Sequence, residues 1–219
     1  MTWILFAVIS YFINAVTAII DKFLLNRSVP SPQAYTFYVG LLSVFVVILI
    51  PFGVVWPGFK LAIQDMIPGI IFFWAVFFFI TAVKKNEVSR VVTMIGGFTP
   101  MLVLMLSFLF LHERLRGFQL AAFGLLVLGG ILISLKRSET GEIKKKLTFI
   151  GVGISLGAAF FFALYYVSAK FIFSDGQPFI SAFFWSRLGS FLAAMAILII
   201  PSWRAAIFGA RMTAGVKGG

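Results

Sequence analysis

Between Arg27 and Lys60 the chain carries no charged residue. The same silence recurs along its length, and each time a charge ends it. The uncharged runs are Thr2–Ile20, Ala34–Trp56, Met66–Val83, Val91–Leu111, Phe118–Leu135 and Leu147–Ala169, with a seventh, Phe179–Ile200, broken only by Arg187. Each has about the length of 20 or so apolar residues that a helix needs to cross a bilayer. Lipid offers no partner to backbone N–H and C=O groups, so each run is expected as a helix that satisfies its own backbone. Charged residues are 11% of the chain, against about 25% in a soluble domain. That deficit makes a water-facing surface untenable and points to an all-α, multi-pass membrane protein.

Composition excludes several chemistries. There is no cysteine and a single histidine, His112, so disulfides, thiolate nucleophiles and multi-His metal sites are out. No Ser-His-acid set, metal cluster or phosphate loop supports an enzyme. No cofactor is implied. The net charge of +11 sits between apolar runs, where it orients a membrane protein and does not build a nucleic-acid face. The partners expected are the bilayer and a small-molecule solute, with a homodimer left open. The start, "MTWILFAVISYFINAV", has no basic residue before Lys22 and reads as a retained first span, not a cleaved signal.

The one sizeable polar loop, "KRSETGEIKKK" at 136–146, divides the chain. On either side the text repeats. Lys22-Phe23 closes the first run and Lys170-Phe171 the sixth; Pro32 opens the second and Pro178 the seventh. A unit of five spans is odd, so a second unit enters the membrane in the opposite sense, as in many secondary transporters. The expected organisation is a first repeat at 1–135, the polar loop, the first two spans of a second repeat at 147–200, and a basic tail at 201–219. The second repeat is thus expected to be incomplete.

Residues Ile80–Leu135, "ITAVKKNEVSRVVTMIGGFTPMLVLMLSFLFLHERLRGFQLAAFGLLVLGGILISL", resemble the drug/metabolite transporter superfamily and its EamA-type branch. Ala82, Lys84, Ser89, Pro100, Glu113, Arg114, Leu115, Gln119 and Gly129 stand where that family's features belong. His112 replaces the usual glycine, and Arg90 stands where a small residue is common. The Trp-Gly pair of the family's first and sixth spans is here Asn14-Ala15 and Phe162-Ala163. The resemblance implies inverted five-helix repeats, ten spans in a complete carrier, and transport of small metabolites, read here as export, in the plasma (inner) membrane. The alternative is a truncated or non-transporting membrane subunit that needs a partner.

Arg187 is the sharpest single candidate. A charge at that depth costs about 2.5–3.5 kcal/mol on insertion scales, so a cavity or a partner is expected for it. Asn14, Tyr165, Tyr166 and Trp185 are candidates to line a path, and Lys22 and Lys170 to close its mouths. For the aromatics, interface packing is the competing reading, and for the lysines, snorkelling. Pro100, Glu113, Arg114, Gly129 and Gly130 are read as structural: a kink, a hairpin lock and close helix packing. No metal site is expected.

Loops after odd-numbered runs hold Lys22, Arg27, Lys84, Lys85, Arg90, Lys136, Arg137 and Lys144–Lys146; those after even-numbered runs hold Lys60, Arg114, Arg116 and Lys170. Charge bias therefore places the 136–146 loop in the cytoplasm and the N-terminus outside, whereas the resemblance implies the reverse. In this cysteine-free chain the expected outcome is that Ser138→Cys stays unlabelled by an impermeant thiol reagent on intact cells. Ready labelling reverses the orientation.

Overall fold

The structure, a computed structural model, describes residues 2–27, 31–111, 142–174 and 176–216, with isolated positions between 117 and 129. Its helices are α1 (Thr2–Arg27), α2 (Pro32–Leu42, continued by a 3-10 stretch Ser43–Phe52), α3 (Phe59–Lys85), α4 (Val88–Leu111), α5 (Glu142–Ser174), α6 (Phe179–Ile197) and α7 (Pro201–Val216). No strand occurs among the described residues. Six helical segments are long and apolar enough to span a membrane: 4–25, 32–52, 59–85, 88–111, 150–173 and 179–197. These are six of the seven expected runs. The remaining one, 118–135, falls mostly outside the described residues.

Local chemistry sets the ends. Ser31 caps α2, its Oγ accepting from Ala34 N at 3.4 Å, and Pro32 follows at the first helical position, where its missing N–H costs nothing. The second half of that span is 3-10 and contains Pro51; it stops at Gly53, whose φ of 96° is left-handed, a conformation that glycine reaches without strain. Lys84 and Lys85 close α3, where cations complement the helix dipole.

Three boundaries differ from expectation. The third run was expected from Met66, but α3 begins at Phe59, so Gln64 and Asp65 lie inside a helix. The Lys144–Lys146 run, assigned to the polar loop, belongs to the first turns of α5. Residues 201–216, expected as a basic tail, form α7, whose Trp203 packs on Trp74 and Phe77 with ring centroids 5.9 and 4.7 Å apart.

α3 is the hub. Its one side meets α5, where Phe78 stacks on Phe161 at 5.1 Å and Gly157 faces Phe78. Another side meets α6 at backbone distance: a Cβ on Gly69 would collide with the Ser186 carbonyl, and one on Gly189 with the Met66 carbonyl. Ser190 Oγ donates to Gly69 O across this seam at 2.7 Å. Small residues let helices approach closely where lipid supplies no hydrophobic drive. A third helix, α2, joins through Gly40, where a Cβ would sit 2.6 Å from that of Ala194.

Register fixes direction. Ala62 clusters with Phe184 and Trp185, and Phe73 with Ala194 and Ile197, so α3 and α6 run parallel. Val91 and Ile95 cluster with Ala158 and Ala159, while Leu106 clusters with Ala163 and Val167, so α4 and α5 are parallel too. α1 joins the bundle through Ala18, Asp21 and Leu25, one stripe of its second half, and through Lys22 beside them; most of its apolar surface is exposed and suits lipid.

Gly69→Ala is expected to destabilise the bundle by about 1–3 kcal/mol, the range for overpacked cores, read as a lower unfolding temperature in detergent. Gly96, which faces open space among the described residues, is expected to tolerate alanine.

Candidate translocation site

Arg187 lies eight residues into α6, about 12 Å along the axis at ~1.5 Å per residue. It is half-buried. Its guanidinium carbon sits 4.4 Å from the Phe72 ring centre and 5.0 Å from that of Phe183. Cations over aromatic faces gain about 0.5–2 kcal/mol, more where water is excluded, which offsets part of the cost of depth. Phe72 comes from α3 and continues the aromatic wall into α5: its ring lies 5.2 Å from Tyr165 and 6.5 Å from Phe162. Tyr165 in turn contacts Tyr166 at 5.4 Å. Three helices thus converge on one cation with an aromatic lining.

Beside Phe72, a gap between α2, α3 and α6 is lined by Thr36, Ser43 and Ser190 together with apolar neighbours. It holds no water-sized space. Thr36 is fully buried and its hydroxyl has no hydrogen-bond partner. A buried hydroxyl without a partner among the described residues is costly, about 1–3 kcal/mol.

The sequence candidates separate in space. Arg187 and Tyr165 come together through Phe72, while Tyr166, beside Tyr165, is exposed. Trp185 is buried, but it seals the segment before α3: its indole N–H donates to Val55 O at 3.5 Å and its ring meets Trp56 at 5.0 Å. Ser181 completes that seal by accepting from Val55 N at 3.0 Å. Asn14 is exposed on the outer helix α1, and Lys170 is exposed near the end of α5. Lys22 is an anchor: its Nζ donates to the carbonyls of Val83 and Asn86, at 2.5 and 2.9 Å, and so ties α1 to the C-terminus of α3. Next to it Tyr35 donates its hydroxyl proton to the buried Asp21. Lys22 also borders an open cleft with Lys85, Asn86, Glu87 and Arg90.

Among the residues read as structural, Pro100 lies inside α4. Gly129 is helical and faces open space among the described residues. Glu113, Arg114 and Gly130 lie outside the described residues, as does His112. Among the described residues, close helix approaches occur at Gly40, Gly69, Gly151, Gly157 and Gly189.

One group escaped the sequence reading. Asp65 is fully buried, with 0% of its surface exposed, and neither carboxyl oxygen has a hydrogen-bond partner among the described residues. The signal was present: Ala62, Asp65, Gly69 and Phe72 recur at the three- and four-residue spacing of one helix face. Starting the run at Met66 hid it.

The profile of the EamA-like transporter family matches residues 1–135, more than half of the chain. The chain belongs to the EamA-like transporter family. It is therefore an integral membrane protein of a transporter family, not an enzyme. No curated protein and no solved structure matches it. Residues 1–135 of this EamA-like chain supply α1–α4, and with them Phe72 and the α3 face that receives α5 and α6.

Lys22→Met is expected to free two helix-end carbonyls and loosen α1, at about 1.5–3 kcal/mol for a charged hydrogen-bond donor. Faster proteolysis and a lower unfolding temperature would show it. Unchanged stability with altered transport would make Lys22 a mouth residue instead.

Proposed function

We propose that this EamA-like protein is a carrier that exports small polar metabolites by alternating access between two repeats of opposite topology. The observation that carries the reading is Arg187, held at membrane depth between Phe72 and Phe183. Charged groups at such depth face cavities, partners or transported species. A planar guanidinium between aromatic walls suits a solute with a carboxylate or phosphate, which it can grip with two hydrogen bonds.

The packing supports the repeat. α2 and α6, the second helix of each unit, run antiparallel: Val46 clusters with Phe184 and Trp185, and Ala34 and Phe37 with Ala194 and Ile197. A two-fold axis in the membrane plane requires that sense. The same axis relates the α3–α6 contact to one between the second unit's third helix and α2. Ile207 of α7 packs in the Ala34–Phe37 cluster, as that relation demands.

Uptake into proteoliposomes from labelled pools of amino acids, sugars, nucleosides and organic acids tests the proposal, with the mass of the reconstituted species read in the same preparation to see whether two copies act together. The expected outcome is flux of one pool. Arg187→Ala should lower it at least tenfold with membrane insertion intact, and Arg187→Lys should restore only part, since lysine keeps the charge but loses the planar fork. Unchanged flux in Arg187→Ala leaves the residue a packing role. Absence of flux in every pool favours a membrane subunit that works with a partner.

A further inference from the structure

Asp65 stands at the tightest part of the bundle. It is one turn before Gly69 on α3, where the backbones of α3 and α6 touch at Gly69–Ser186 and Met66–Gly189. It is completely enclosed, and among the described residues no donor reaches either oxygen. The α3–α6 register sets it level with Arg187, whose guanidinium is turned to Phe72 and Phe183. An ionised carboxyl sealed from water without donors is among the costliest groups a fold can hold. We propose that Asp65 is a proton-binding site that latches the α3–α6 seam: neutral when the seam is closed, ionised when the seam parts and water reaches it.

The surroundings leave the proton few other places to go. Arg187 is the only charged residue on α6. Residues 43–58, which pack around this end of α3, carry no charged or titratable side chain. Lys60 on the same helix is exposed. Tyr165 of α5 packs on Phe72, two turns further along, with Tyr166 beyond it. Asp21, Lys22 and Tyr35 are engaged with one another's helices at the opposite end of α3. When the seam opens, the proton leaves to water, and Arg187 is the nearest cation in register to face the carboxylate that remains. Each half of this step is a two-state change of packing, since a backbone-to-backbone contact is either made or broken. If the protein is the carrier proposed above, on which this use of the site rests, proton release at Asp65 is the event that couples a pH difference to access.

The seam can be read without a solute. In a Ser186→Cys background, labelling by a maleimide is measured across pH and divided by the rate in Ser186→Cys/Asp65→Asn, which cancels the ionisation of the thiol itself. Asparagine keeps the shape of the neutral acid. The expected ratio is near one at acid pH and rises several-fold at alkaline pH. A ratio that stays at one, or that differs from one equally at every pH, overturns the latch. A protonated-carboxyl band in infrared difference spectra, lost in Asp65→Asn, is expected alongside; its absence in the parent chain also overturns the proposal. The transport assay keeps the two readings apart. A pH-dependent ratio without flux of any pool retains the latch and removes the carrier reading, whereas flux indifferent to pH with a flat ratio does the opposite.

Discussion

The contact between the backbones of α3 and α6 is the constraint on which the rest of the bundle depends. Lipid does not drive helices together as water does, so association relies on close packing and on bonds between helices. Gly69 and Gly189 let two carbonyl-bearing backbones meet, and Ser190 spans the join with a hydrogen bond to Gly69 O. With that register fixed, Phe72 must lie where Arg187 reaches it, and Asp65 must lie level with Arg187. Shifting either helix by one residue would turn Gly69 away and put a side chain into the seam. The aromatic site and the buried acid are both consequences of two glycines.

α3 belongs to the segment that the family profile covers, residues 1–135, yet its main partners are α5 and α6, from beyond the polar loop. Among the described residues, Leu25, Val76, Ile80, Ala82, Val83, Val91 and Ile95 form one cluster with Ala158 and Ala159 of α5. In the carrier proposed above, rocking of one unit against the other uses the faces of α3, and those faces differ. The α5 face is broad and aromatic, built from Phe72, Phe78 and Phe79 against Phe161, Phe162 and Tyr165. The α6 face is narrow and glycine-lined. Large aromatic surfaces can slide and re-register rings with small changes in energy, while a glycine contact is made or lost as a whole.

Charge silence carried most of the fold into view. Runs bounded by Lys22, Lys60, Lys84 and Lys170 became helices near those positions because a bilayer punishes a misplaced charge more than any propensity can repay. Arg187 was legible for the same reason, being the single exception in its run. The aromatic partners were not, because 28 phenylalanines make any one of them anonymous until register chooses Phe72. Lys22 looked like a mouth residue from its place at a span end, and only the fold could show that its ammonium is occupied by the carbonyls of Val83 and Asn86. The glycines of the α3–α6 seam were not legible either: Gly69 and Gly189 meet partners far away in sequence, Ser186 and Met66, a separation that spacing along one helix cannot see.

Asp65 shows where the reasoning from charge has a blind spot. An acid near the end of an apolar run was taken as the boundary of that run, since a boundary is the cheapest place for it. The helix instead continues through it from Phe59, about 9 Å further out at ~1.5 Å per residue, and the acid faces inward with Ala62 and Gly69. A carboxyl at a helix end could have reached water by turning outward, as exposed Lys60 does on the same helix. Holding it inside gains no hydrogen bond and fills a position that alanine or serine would fill at less cost. Residues that destabilise the state they are found in are retained by what they do in another state. In the latch proposed above, that other state is one in which α3 and α6 have separated enough for water to reach Asp65.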